Sequence, residues 1–117
     1  MKVIVTFAAL FVAVAILPVS CTHSKPEKTI ENLKAAISGE TNASANYKAY
    51  SAKAAQEGLV NISKMFAAAS AAEAIHIKNH NAVLTKLGQE VFSVTPEAPK
   101  VNTTAENTQA AISSLLS

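Results

Sequence analysis

Two stretches of the chain place their inward positions at alternating steps of three and four residues, which is the spacing of one face of an α-helix. The first stretch runs over residues 30–54 and the second over residues 62–87. The two inward stripes are Ile30, Leu33, Ile37, Glu40, Ser44, Tyr47, Ser51 and Ala54, then Ile62, Phe66, Ala69, Glu73, His76, His80, Val83 and Leu87. The pattern predicts two long amphipathic helices.

A capping threonine and two glycines set the predicted ends of these helices. Thr29 is a favourable N-cap for the first helix, which is expected to continue to about Glu57 and to end at Gly58. The second helix begins within three or four residues and stops at Gly88. Because so short a connection joins neighbouring helices, the two are expected to form an antiparallel hairpin.

A partial repeat follows the hairpin. Residues 104–113 match residues 29–38 at seven of ten positions. Pro96 and Pro99 exclude a helix between the hairpin and this repeat. The second copy departs at Leu115, where the first copy has Glu40, so a short C-terminal helix is expected without the carboxylate.

The chain therefore divides into five predicted segments of an all-α protein. They are a signal segment at 1–21, a tether at 22–28, a helical hairpin at 29–88, a linker at 89–102 and the truncated start of a second helical repeat at 103–117. The helices are rich in alanine and their apolar faces are thin, so a lone hairpin is not expected to be stable. We expect dimerisation to complete the bundle.

The N-terminus has the character of an export signal. Lys2 precedes an apolar run over residues 3–17, which is shorter than the roughly 20 residues of a membrane span. Cys21, the sole cysteine, lies where a bacterial lipoprotein is cut and lipidated, although Pro18 stands where leucine is usual. We expect a protein of the bacterial cell envelope, anchored to the membrane by lipid at Cys21, or else ordinary secretion with an unpaired thiol.

Charge and cysteine content exclude several classes of function. The chain carries ten basic and eight acidic residues, for a net charge of +2. This near balance provides no basic patch, so no nucleic-acid partner is expected. A single cysteine excludes an internal disulfide and a Cys-x-x-Cys iron or zinc knuckle.

Three ionisable residues interrupt the apolar stripes: Glu40, Glu73 and His76. Such groups are costly to bury unless they are paired or bind a metal. Glu73 and His76 form a Glu-x-x-His pair on one helix face, and Glu40 lies on the facing helix. Iron suits this set, since carboxylates stabilise its higher charge and an imidazole holds the ion. The alternative is a buried hydrogen-bonded network or an ion pair, although the stripes contain no lysine.

His80 lies one helical turn beyond His76 on the same stripe. Glu73, His76 and His80 would then suffice to bind one zinc ion within a single chain. The alternative, which we favour, is a histidine that packs at the mouth of the bundle and is partly hydrated.

The chain resembles the ferritin-like domain of the rubrerythrin family over about residues 29–88, with a restart at 104–113. The resemblance is carried by Thr29-Ile-Glu-Asn-Leu33, Gly39-Glu-Thr-Asn-Ala43, Tyr47, Ala55-Gln-Glu-Gly58, Met65-Phe66, Ala72-Glu73 and His76. Proteins of this family have four helices around a di-iron centre, and many act as peroxidases or as oxidases of ferrous iron.

The resemblance implies a role for each matching residue. Glu40 would be a terminal or bridging carboxylate, Glu73 a bridging carboxylate, and His76 an imidazole ligand. Tyr47 would donate a hydrogen bond to a ligand carboxylate. The second pair of helices is missing, and Leu115 replaces a carboxylate. No cysteine-rich rubredoxin segment follows, so electrons would come from a separate donor.

These features predict a homodimer whose two hairpins form a four-helix bundle, since two copies supply four glutamates and two histidines. Its expected chemistry is peroxide reduction or ferrous iron oxidation at a di-iron site. Two alternatives stay open. One is a metal-binding or scavenging lipoprotein without turnover, and the other is a truncated, inactive paralogue.

Overall fold

The computed structural model describes residues 26–115, which form three helices and no strand. These are α1 (Glu27–Gln56), α2 (Val60–Lys86) and α3 (Thr104–Leu115). The all-α prediction is confirmed. The predicted signal segment and Cys21 lie outside the described residues. None of the three helices is both long enough and apolar enough to cross a membrane.

Both predicted glycine stops are confirmed. Gly58 has a φ of 75° and Gly88 a φ of 74°, in the left-handed region that favours glycine. At the first stop, the N–H of Leu59 donates to the carbonyl of Ala54 at 2.8 Å, which closes the helix end. The sharp reversal turns α2 back along α1.

The predicted start of α1 at Thr29 is wrong. The helix begins at Glu27, and Pro26 occupies the N-cap position without a side-chain cap. The N–H of Ile30 donates to the carbonyl of Pro26 at 3.0 Å, so Thr29 already lies within the first turn. A proline fits this place because the first helical turn needs no N–H donor from it. Glu27 adds a negative charge at the positive end of the helix dipole.

The predicted inward stripe of α1 is confirmed at all eight positions, each of which is buried or half-buried. It packs against α2 in two apolar clusters. One is centred on Ile30, Ile37 and Leu84, and the other on Tyr47, Tyr50 and Phe66. Glu40 lies between these clusters along α1. The two clusters therefore hold the hairpin together on either side of the candidate site.

The predicted stripe of α2 is wrong at two positions, His76 and Val83, whereas the other six are buried or half-buried. His76 and Val83 are exposed, whereas Ile77 packs against the first cluster and Leu84 is 0 % exposed. Strict alternation of three and four averages 3.5 residues per turn, and a straight helix drifts from it by about 20° per heptad. Beyond Glu73, Ile77 and Leu84 therefore replace His76 and Val83 on the inward face, while His80 and Leu87 keep their predicted places.

Two pairs of serines join α1 to α2 between and beyond these apolar contacts. Ser44 Oγ donates to the carbonyl of Ser70 at 3.0 Å, and Ser70 Oγ donates to the carbonyl of Ser44 at 2.9 Å. Seven residues further along α1, Ser51 Oγ donates to the carbonyl of Ser63 at 2.9 Å. In both pairs the residue numbers add to 114, so the pairs define one antiparallel register.

Asparagine side chains attach the linker to the helices. Asn81 accepts from the N–H of Phe92 at 2.7 Å and donates to its carbonyl at 3.0 Å. Asn107, which is buried, accepts from the N–H of Asn102 at 2.9 Å and donates to its carbonyl at 3.1 Å. The linker is thus held at both ends by amide groups that bind its backbone.

Two carboxylates fix the start of α3. Thr103 and Glu106 form a capping box, in which the Thr103 N–H donates to Glu106 Oε2 at 3.1 Å. Glu57, at the end of α1, accepts from the N–H of Thr104 at 3.1 Å and pairs with Lys53 at 3.3 Å. The hydroxyl and N–H of Thr104 lower the pKa of Glu57 below its usual 4.5, and Thr103 does the same for the pKa of Glu106.

From this end, α3 runs back along α1. Its Ala111 packs against the Tyr47–Tyr50–Phe66 cluster. Leu115 ends the helix and is exposed. The third helix therefore covers the outer side of the aromatic cluster, and its final residue offers no carboxylate there.

Candidate metal centre

The hairpin register brings Glu40 of α1 opposite Glu73 of α2. One ligand atom from each of Glu40, Glu73 and His76 lies within 4.8 Å of the other two. The three residues predicted from the sequence are therefore close together in space. Their assignment as metal ligands stays a prediction.

The carboxylates are more buried than the imidazole. The Glu40 and Glu73 side chains are 18 % and 19 % exposed, whereas His76 is 54 % exposed. His76 Nδ1 lies 3.2 Å from Glu73 Oε2. An ionised carboxylate only accepts hydrogen bonds, so Nδ1 is the donor, and in the neutral ring Nε2 carries the lone pair. The cluster is thus lined by carboxylate oxygens inside and is open on the side of His76.

His80 makes a contact that the sequence analysis did not predict. Its Nε2 lies 2.9 Å from Glu40 Oε1, across the hairpin. The two residues are forty positions apart in the sequence and lie on different helices. The signal in the sequence was that both occupy predicted inward positions. The expected half-buried place of His80 is confirmed by its 34 % exposure. His80 is not a member of the three-residue cluster that could hold an ion.

The second oxygen of Glu40 indicates that a cation fits this site. Glu40 Oε2 is buried and has no hydrogen-bond partner in the described part of the chain. A buried carboxylate oxygen without a partner is costly, and a bound cation removes that cost. Two carboxylates and one imidazole are also the donors that iron accepts in helical bundles. The residues present therefore fit the metal that the sequence predicts.

The aromatic side chains beside the site pack against one another. The Tyr47 ring stacks on Phe66 with centroids 6.0 Å apart, and Tyr50 meets Phe66 edge-on at 5.4 Å. Tyr50 is thus a packing residue of this cluster. Among the described residues, the Tyr47 hydroxyl makes no hydrogen bond to Glu40 or Glu73, so its predicted donor role remains a prediction.

His76 shares its side of α2 with two exposed apolar residues. Met65 lies eleven residues before His76 and Val83 lies seven residues after it, close to three and two full turns. Met65 and Val83 are both among the exposed large hydrophobic residues. The open side of the site is therefore bordered by apolar surface along the helix.

Comparison with known proteins agrees with the geometry. The family model described as Rubrerythrin matches residues 31–114. Over 71 residues the chain is 42 % identical to nigerythrin from Nitratidesulfovibrio vulgaris, a match that covers 61 % of this chain and 35 % of that protein. The chain thus spans about a third of the length of the curated relative that it matches. No solved structure matches the chain.

Proposed function

The chain belongs to the rubrerythrin family, and from that premise we propose that it is a non-haem di-iron protein that reduces peroxide or oxidises ferrous iron. The observation that carries the proposal is the convergence of Glu40, Glu73 and His76 within 4.8 Å, at a point where Glu40 Oε2 lacks a partner. Iron held there supplies the exchange between ferrous and ferric states that this chemistry requires.

The residues of the chain have distinct tasks in this proposal. Glu40 and Glu73 neutralise the cation with their carboxylates, which are mostly withdrawn from water. His76 is oriented by its hydrogen bond to Glu73 and offers the free ring nitrogen. The aromatic cluster around Tyr47 excludes water from the bundle on one side of the site.

The site is assembled between two chains in this proposal. One hairpin offers two glutamates and one histidine, which is half of the ligand set of a di-iron bundle. His76 is exposed along a line with Met65 and Val83, and a second hairpin packed there covers all three. A two-fold axis through the site adds the same three ligands from the partner, and two-fold dimers are the commonest oligomers.

We also propose a setting for this chemistry. Lipidation of Cys21 would anchor the protein in the bacterial cell envelope, with its domain outside the cytoplasm. One cysteine is too few to hold an iron centre within residues 1–117, and we propose a separate protein as the electron donor.

Native mass spectrometry and metal analysis of the full chain, loaded anaerobically with ferrous iron, test the proposal. We expect a dimer with two irons. A monomer that retains no iron would refute both the assembly and the function.

Replacing one ligand tests the site. Glu73→Ala should abolish iron uptake and leave the far-UV circular dichroism of the helices almost unchanged, because Glu73 contributes charge rather than apolar packing. Glu31→Ala, which removes an exposed carboxylate from α1, is the matched control and should bind iron normally. Unchanged iron stoichiometry in Glu73→Ala removes Glu73 from the ligand set.

The convergence of three donors within one chain also favours a second candidate. Glu40, Glu73 and His76 are already together without a partner chain, which is enough to hold a single ion. A protein that stores or scavenges one metal without turnover would need nothing more. A monomer that holds one zinc or one iron, and that consumes neither peroxide nor ferrous iron, supports this candidate.

A further inference from the structure

We propose that His80 is a positioning residue for Glu40, which holds one carboxylate oxygen so that the other is presented to the metal. This inference rests on the proposed metal centre and assigns the residue that controls how Glu40 binds. It starts from the short contact between His80 Nε2 and Glu40 Oε1, at 2.9 Å.

The direction of this hydrogen bond follows from its partners. An ionised carboxylate only accepts, so the proton lies on His80 Nε2 and the imidazole donates. Both side chains are mostly shielded from water, with 34 % and 18 % exposure. The bond crosses from α2 to α1, so it restrains the Glu40 side chain against a helix other than its own.

The two oxygens of Glu40 consequently differ. Oε1 is engaged by His80, whereas Oε2 is buried and has no partner within residues 26–115. A carboxylate restrained in this way offers one oxygen to an ion and keeps the second on its hydrogen-bond donor. Partners of this kind orient a ligand and raise metal affinity without touching the ion.

The geometry argues against a direct ligand role for His80. The nitrogen that faces the site, Nε2, is already occupied by Glu40. The three groups that converge on a common point are Glu40, Glu73 and His76, and His80 is outside that set. The expectation of a zinc site at Glu73, His76 and His80 would require the His80–Glu40 bond to break.

Two substitutions separate the possible roles. His80→Gln keeps an N–H donor of similar reach but lacks an imidazole, and His80→Leu removes the donor. The affinity of the full chain for Co²⁺, a spectroscopic substitute for ferrous iron, is measured by calorimetry together with the visible absorption of the bound ion. Far-UV circular dichroism checks that each variant is folded.

We expect His80→Leu to weaken Co²⁺ binding by roughly 10- to 100-fold, and His80→Gln to remain within a few-fold of the native chain. Equal and severe loss in both variants, with an altered Co²⁺ spectrum, makes His80 a ligand and overturns the proposal. Native affinity in both variants overturns it as well.

The metal-free chain gives a readout that does not depend on metal binding. Nitrogen-15 NMR should show a proton on His80 Nε2 that is protected from exchange, and Glu40→Gln should change its chemical shift. Absence of that protected proton overturns the positioning role even if the chain binds metal normally. If the native chain binds no Co²⁺, the proposed function fails first, and the positioning role fails with it.

Discussion

Replacing Leu84 by alanine tests whether the hairpin packs in the observed frame. Leu84 is 0 % exposed and lies against Ile30 and Ile37 of α1. Leucine-to-alanine changes in cores cost about 2 to 5 kcal/mol, depending on how far the site can collapse. Here the core is only one layer thick between two helices, so partial collapse is feasible and we expect about 3 kcal/mol. Against a stability of about 5 to 15 kcal/mol for a typical domain, this is a large loss.

Urea unfolding followed by far-UV circular dichroism measures this loss. With a slope of about 1 to 3 kcal/mol per molar urea for small proteins, the midpoint should fall by at least about 1 M. All variants are compared at one protein concentration, because association changes the apparent stability.

Ile75→Ala is the matched control for Leu84→Ala. Ile75 is 58 % exposed and lies nine residues away, two and a half turns, on the opposite side of α2. Its replacement should change stability by no more than about 0.5 kcal/mol. If Leu84→Ala costs no more than Ile75→Ala, the frame described above is incorrect.

Two further predictions concern the attachment of the linker and α3. Because the pKa of Glu57 is lowered in the folded chain, its carboxylate stabilises α3 above the ordinary pKa of 4.5 and stops doing so as the pH falls below it. Hydrogen exchange of the α3 amides, corrected for intrinsic rates, should therefore show weaker protection in acid, and Glu57→Gln should lower protection at neutral pH. Asn81→Ala should cost about 1 to 3 kcal/mol by leaving the Phe92 backbone groups unpaired, whereas exposed Asn79→Ala should be nearly neutral by the same unfolding assay. Equal stability of these two variants would show that the linker is not held through Asn81.

The fold was largely predictable because its pattern is long and regular. On α1, all eight positions predicted from the spacing face inward, although the buried Tyr50 lies beside that stripe, and the glycines at 58 and 88 mark the helix ends. The second half of α2 was not predictable in the same way. His76 with Val83 and Ile77 with Leu84 are both compatible with a helix face that includes Glu73 and His80. Only the contact with Ile30 and Ile37 shows that the second pair faces inward.

The candidate site was also predictable only in part. Glu40, Glu73 and His76 are conspicuous because each breaks an apolar stripe, so their proximity could be predicted. The His80–Glu40 hydrogen bond could not, since it depends on the relative rotation of two helices and not on local spacing. The linker contacts of Asn81 are hidden for a similar reason, because an exposed asparagine and one that binds a distant backbone look the same in a sequence.

The two serine pairs help to select the native alignment of α1 and α2 over hairpins of different register. A hairpin that slips by one heptad would move Phe66 and Leu84 out of their apolar clusters, and it would also separate the serine pairs. Such a slip would leave at most one serine opposite another, because Ser44 and Ser51 meet Ser70 and Ser63 only in one alignment. The paired hydroxyls lie 3.1 and 3.2 Å apart, and these contacts are lost when the serines separate, so this penalty does not depend on large side chains. The serines thereby widen the energy gap between the native hairpin and misaligned hairpins. Because the native alignment is favoured, the carboxylates of Glu40 and Glu73, on different helices, stay within reach of one ion.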